Sequence, residues 1–207
     1  MDREHGSPNI RVSAAVWRCN EPKSLELATI DRTDQGFEFS GDVAVDDNNI
    51  SSTINYQINV DHTWATRSVS VTIKRGGALR SQLQLEVNET YEWSIRRASG
   101  ESFIHQPEFD GLVDIDLGCT PATNLLPIRR FNLAIGESHE TTAVWITFPG
   151  LEIQKLPQRY TRLTAREYRY ESFLTGFEAV LQVDDFGVVD RYADVWDRLN
   201  SQTRPAP

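Results

Sequence analysis

A two-residue rhythm runs through most of this chain, and it leaves few folds open. In Thr53–Val60, TINYQINV, apolar Ile54, Tyr56, Ile58 and Val60 alternate with Thr53, Asn55, Gln57 and Asn59. Val69, Val71 and Ile73 repeat the pattern, as do Leu83, Leu85 and Val87, and then Phe177, Ala179, Leu181 and Val183. Such rows are strands with one buried and one wet face, the mark of antiparallel sheet. Further strands are expected at Val12–Cys19, Ser24–Asp31, Phe37–Val45, Tyr91–Arg97, Ser102–His105 and Leu112–Leu117. Beyond these come Glu140–Phe148, Leu151–Leu163, Arg166–Phe173 and Val188–Tyr192. Turn residues punctuate them at Asp34–Gly36, Asp46–Asn49, Gly76-Gly77, Gly136 and Phe186-Gly187. So many short strands cannot stay flat and open; they must curl, split or close.

One stretch breaks the rhythm. Thr120–Phe131, TPATNLLPIRRF, offers Thr as an N-cap and Pro at the first helical position, with Leu125, Ile128 and Phe131 three apart and Leu126 widening the stripe. Pro127 is expected to remove a hydrogen bond and kink it. A short helix in a meandering sheet is best placed inside the curl, as a plug for the core. Asp190–Leu199 is expected to add a helical turn, with Tyr192, Val195, Trp196 and Leu199 on one face. Loops are short and composition does not shift, so residues 1–207 read as one domain, frayed at about 1–10 and 201–207. Tyr56–Val71 and Tyr160–Val183 are faintly alike, too little to make a repeat.

Charge narrows the function classes. Thirty acidic against 21 basic residues give a net charge of −9, which disfavours nucleic acid as a partner. A polybasic membrane anchor is also missing, and the basic residues are 18 Arg against three Lys. No run of 18 apolar residues spans a bilayer, and MDREHGSPNIR lacks the apolar segment of an export signal, so a cytoplasmic location is expected. Cys19 and Cys119 match no metal spacing, and two isolated thiols fit a reducing compartment. No cofactor or metal motif is seen.

Three segments carry candidate chemistry. On a strand through Val113–Leu117, Asp114 and Asp116 point to the same side about 7 Å apart. Two such carboxylates suit acid–base work on a glycoside, or a hard cation, or pairing with Arg129, Arg130 or free amides near the helix start. Asp61–Arg67, DHTWATR, is a strand end and turn with Trp64 to pack and Arg67 to pair. Gln158–Leu163, with Tyr160, and then Tyr168–Glu171 alternate Tyr and Arg, as sugar stacking or cross-strand pairing would require.

The order Tyr56, Asp61-x-x-Trp64-x-Thr66-Arg67, Asp114-Ile115-Asp116-Leu117, Thr120-Pro121-x-Thr123-Asn124-x-Leu126-Pro127-Ile128-Arg129-Arg130, Gln158-x-Tyr160 and Val183-Asp184-x-x-Gly187 resembles the putative glycolipid-binding family. The likeness runs from about Trp17 to Trp196, and the TPxTNxLPIRR string is its most specific part. It implies an all-β, mainly antiparallel spiral roll of about fifteen strands around one short central helix, and a homodimer. It also implies non-catalytic binding of a glycolipid or other amphipathic molecule, a function drawn from the shape of lipoprotein-carrier half-barrels. Arg67, Asn124, Arg129 and Arg130 are then candidates for the head group. Trp64, Asp114, Asp116, Thr123 and Tyr160 complete the candidate set. The alternative is a carbohydrate or ester hydrolase using Asp114 and Asp116, although no nucleophile elbow or paired His supports it.

Overall fold

The computed structural model describes residues 9–47, 50–97 and 100–200. The expected frayed ends and the tip of the Asp46–Asn49 turn therefore lie wholly or partly outside the described residues. Fifteen strands among these residues form one sheet. The first eight meander outward: β1 (Ile10–Cys19), β2 (Ser24–Thr33), β3 (Gly36–Asp47), β4 (Ile50–Asp61), β5 (Thr66–Arg75), β6 (Ala78–Val87), β7 (Trp93–Arg96) and β8 (Ile104–His105). The chain then crosses to the far edge and returns. It does so through β9 (Asp114–Leu117), β10 (Ser138–Ile146), β11 (Ile153–Arg162), β12 (Glu167–Ser172), β13 (Glu178–Val183), β14 (Val189–Tyr192) and β15 (Trp196–Arg198).

The two meanders meet where β15 pairs with β1, so the spatial order runs from β8 down to β1, then from β15 down to β9. Every pairing is antiparallel except β9 with β10. Parallel neighbours need a crossover, and here it is a 3-10 turn, Ala122–Asn124, running into α1 (Leu125–Phe131). The sheet curls without closing. The crossing stretch is tied to the first meander: Gln106 N–H donates to Trp93 O of β7 at 2.8 Å, and Thr66 N–H of β5 donates to Val113 O at 3.1 Å.

The expected alternation holds. Ile54, Tyr56, Ile58 and Val60 face inward, as do Val69, Val71, Ile73, Leu83, Leu85 and Val87. Leu125 and Leu126 of α1 join that core, so the helix lies inside the curl. Pro127 falls in the first turn of α1, where its missing N–H spoils no bond within the helix. Thr120 Oγ1 accepts from Ala122 N–H at 3.0 Å and so caps the start of the 3-10 turn. Asn132 ends the helix in the left-handed conformation. Gly187 lets the β13–β14 turn lie against α1: a Cβ there would sit 3.0 Å from Leu125 and 3.1 Å from Ile128.

The expected helical turn over Asp190–Leu199 is wrong. The segment is β14, a tight turn and β15. Trp196 is buried as a strand residue and Leu199 is exposed, so the spacing that suggested one apolar helical face is not used. Pairing with β1 decides it, because Leu199 N–H donates to Val16 O at 2.7 Å and a helix would leave that edge of β1 bare.

Three hairpin turns share one geometry. Asp61–Ala65, Asn88–Glu92 and Asp184–Val188 are the same hairpin turn three times. In each, the side-chain Oδ1 of the first residue accepts backbone N–H from the third and the fifth, at 2.8 and 3.1 Å, 3.0 and 2.9 Å, and 3.0 and 2.9 Å. The fourth residue is left-handed: Trp64 (φ 68), Tyr91 (φ 60) and Gly187 (φ 98). This is a type I turn closed by a left-handed bulge. An aromatic residue there costs about 1–2 kcal/mol of backbone strain. Trp64 offsets it by stacking on Phe37 at 4.1 Å.

Candidate functional site

Alternation puts both carboxylates of β9 on one face, opposite the core residues Ile115 and Leu117, but their fates differ. Asp114 is completely buried and ion-paired to the Arg130 guanidinium, with Thr141 Oγ1 donating at 3.0 Å. Asp116, two residues on, receives no hydrogen bond or ion pair from the described residues. It stands in the wall of a cavity of about 360 Å³ that also takes in Thr120, Asn124, Trp145, Tyr170, Phe177, Tyr192 and Trp196. Asp116 is half-buried, on the wall of the cavity. Burial, and then the neighbouring Asp114 charge, push its pKa up to about 7.

The aromatic walls come from β12 to β15. Tyr170 packs edge-on to Tyr160 at 5.2 Å and to Tyr192 at 5.9 Å, and Phe177 stands 5.9 Å from Tyr192. Burial, then neighbouring groups including Asp116, keep the Tyr160 and Tyr192 phenols protonated well beyond their ordinary range. The Tyr160 hydroxyl donates to Asn124 Oδ1 at 2.9 Å, and Asn124 Nδ2 donates to Pro121 O at 3.1 Å. Thr123 Oγ1 accepts the Leu117 N–H at 3.4 Å, tying the 3-10 turn to β9.

On the other side of Gly118 and Trp196, which both cavities share, lies a second space of about 280 Å³. Its wall includes Val43, Val45, Ile54, Ile73 and the two cysteines, which are free thiols. Near it sits a polar group that the sequence did not announce. Glu26 of β2 is 1% exposed, and its Oε1 accepts from Tyr56 OH at 2.6 Å and from Thr120 Oγ1 at 2.7 Å. Its Oε2 has no partner. Burial raises the Glu26 pKa to about 7, with the two hydroxyls holding it from rising further. Tyr56 belongs to β4 and reaches β2 across the intervening β3 only because Gly41 lies opposite it. A Cβ at Gly41 would be 2.2 Å from the Tyr56 ring.

The nine candidate residues thus fall in three places. Asp116 and Asn124 line the larger cavity, with Tyr160 and Thr123 directly behind it. Asp114 and Arg130 form an ion pair beneath. Trp64, Arg67 and Arg129 gather away from the cavity, at the β4–β5 turn and the last turn of α1. There Arg67 holds Asp61 through two bonds, at 2.7 and 3.1 Å, and reaches Asn88 O at 2.8 Å, joining two of the three like turns. Burial alone would raise the Asp61 pKa, but bonds from Thr63, Ala65 and Arg67 hold it below the usual range. The exposed Arg129 guanidinium lies over Trp64 at 5.3 Å and Phe186 at 4.8 Å. Glu92, His105 and Asp110 cluster at the exposed β8 edge, where His105 bonds Asp110 at 3.0 Å.

Tyr170, Phe177, Tyr192 and Trp196 were not on the candidate list, nor was Glu26. Tyr170 and Phe177 sat in recognised strand rows, so their inward direction was readable. Tyr192 and Trp196 were hidden by the helical reading of their segment.

Fold and cavity together define a curled β-roll with a ligand-sized hollow beside its single helix. The chain belongs to the family described as "Putative glycolipid-binding", whose sequence model matches residues 14–198. Among solved structures it is similar to a DUF1089-family protein from Pseudomonas aeruginosa, with 29% identity, a TM-score of 0.72, and 96% of this chain and 97% of that one covered. A β-barrel-like DUF1849 protein from Brucella abortus shares the fold at 8% identity, with a TM-score of 0.53 and 93% and 98% covered. No curated protein matches the sequence. No helix among the described residues is long and apolar enough to cross a membrane.

Proposed function

We propose that this protein binds an amphipathic small molecule, without chemical turnover, with the apolar portion held beside α1 in the cavity of about 360 Å³. One observation carries the reading: beside α1 a hollow of ligand size is walled mostly by aromatic and aliphatic groups and holds few polar ones. Burying ten methylenes contributes roughly 8 kcal/mol, the scale of micromolar affinity before ordering costs are subtracted. The family description points the same way. The hydrolase alternative loses ground to the geometry, since Asp114 is committed to Arg130 and Thr141 and only Asp116 is free to act.

Titration calorimetry with decyl maltoside below its micelle concentration tests the reading. Saturable binding is expected with a Kd of about 10–100 µM. Val195→Trp, which fills part of the cavity from the β14–β15 turn, should weaken it at least tenfold. Absence of saturable binding, together with a lipid-free organic extract of the purified protein, overturns the reading.

A further inference from the structure

We propose that the head group bound at Asp116 is a cation, an amine or quaternary ammonium carried on an amphiphile; this rests on the cavity being the ligand site. Among the described residues, Asp116 is the single charged side chain in the wall of the larger cavity, and no Lys, Arg or His joins it there. Its neighbour Asp114 shows how this fold treats a carboxylate it means to neutralise, with a bidentate guanidinium and a hydroxyl. Asp116 has neither. The wall around it is aromatic instead, with Tyr170, Tyr192, Phe177, Trp145 and Trp196. The hydroxyl of Tyr160, behind them, is spent on Asn124.

A carboxylate out of bulk water with no counter-charge is costly, and the cost is removed by a positive ligand. Tyr170 and Tyr192 stand edge-to-face at 5.9 Å and Phe177 is tilted against Tyr192, so the rings of the wall are turned different ways, as in an aromatic enclosure that stabilises an ammonium group. A neutral sugar would satisfy the hydrogen-bonding capacity of Asp116 but leave its charge. An anionic head would add a like charge to it. Arg67 and Arg130, two of the arginines that would recognise a phosphate, are paired with Asp61 and Asp114. Charge complementarity therefore selects the cation.

The test compares three ten-carbon probes at pH 8, each below its micelle concentration: decyltrimethylammonium, decyl maltoside and decanoate. Wild-type protein should bind the ammonium at least tenfold more tightly than the maltoside, and decanoate least. Asp116→Asn should erase the tenfold preference and leave maltoside affinity within about twofold. Because the whole molecule is acidic, Asp185→Asn, at an exposed surface carboxylate, serves as the control and should change nothing. Tyr192→Leu, which keeps an apolar wall but removes a ring face, should lower ammonium affinity and spare the maltoside. Thermal melts confirm that each variant folds. Equal affinity for ammonium and maltoside, or a preference that survives Asp116→Asn, overturns the cation assignment while the binding reading stands. Failure of all three probes to bind, together with a lipid-free organic extract of the protein, overturns both.

Discussion

At the scale of single residues, the interior is governed by which carboxylates have partners. Asp114 is satisfied, Glu26 is half-satisfied and Asp116 is open. Glu26 has the clearest consequence for stability. Its folded pKa is about 7, against an ordinary value of 4.5, so between those values the folded chain keeps a proton that the unfolded chain has lost. Its contribution is therefore complete below about pH 4.5 and is lost as pH rises through 7, a change on the order of 3 kcal/mol. Glu26→Gln keeps the acceptor for Tyr56 and Thr120 and removes the charge. The variant should match wild type at pH 5 and melt several degrees higher at pH 8, as followed by circular dichroism. A variant less stable than wild type at pH 8 would refute this account of Glu26. The sequence concealed Glu26 because Ser24–Asp31 mixes two phases, Leu25 and Leu27 on one parity and Ala28 and Ile30 on the other. Neighbouring strands settled the phase: Leu25 and Leu27 are outside, about half exposed, and Glu26 is in. Apolar character alone would have placed them the other way. Pairing of Asp114 with Arg130, by contrast, was among the readings open from the start, since both lie near the predicted helix.

At the scale of elements, α1 does more than its seven residues suggest. Tyr160, Phe186, Gly187, Trp64 and Asp114 all reach the helix or its 3-10 lead-in, from both halves of the sheet. A helix this short has no stability of its own and is held by tertiary packing. Leu126 is fully buried, so Leu126→Ala should cost about 2–5 kcal/mol in urea unfolding. Phe131→Ala, at a half-buried position, should cost less. Equal losses would mean that the helix is not anchored through its buried stripe. Helix and strands were readable because each follows a simple period that burial reinforces. The likeness of the three turns was not readable. Asp, Asn and Asp open them, but Trp, Tyr and Gly fill the left-handed position, and nothing in local preference predicts an aromatic side chain there. The C-terminal segment misled for the opposite reason. Its spacing fitted a helix, and only the need of β1 for a partner, a contact almost the length of the chain away, made it a strand.

At the scale of the whole molecule, the roll is two meanders stitched along one line. The inward helix and the all-β class were legible, since alternation fixes local structure and a long sheet must curl; the pattern alone fell short of the strand count, because β15 read as helix. The strand order was not legible, because pairing of β1 with β15 depends on contacts that no window of sequence contains. That line is thin. It consists of three residue pairs, Trp17 with Arg198, Arg18 with Asp197 and Cys19 with Trp196, supported by Leu199 and Asn200 against Val16 and Ala14. Both ends of the described chain leave it in the same direction, so tension applied between them would act on the rungs one at a time, as on a zipper, rather than loading them together. In an optical trap the first rupture should come at low force and release β15. Since Val195 and Trp196 wall the larger cavity, that first rupture would also unseal it, and a bound ligand should raise the force at which it occurs.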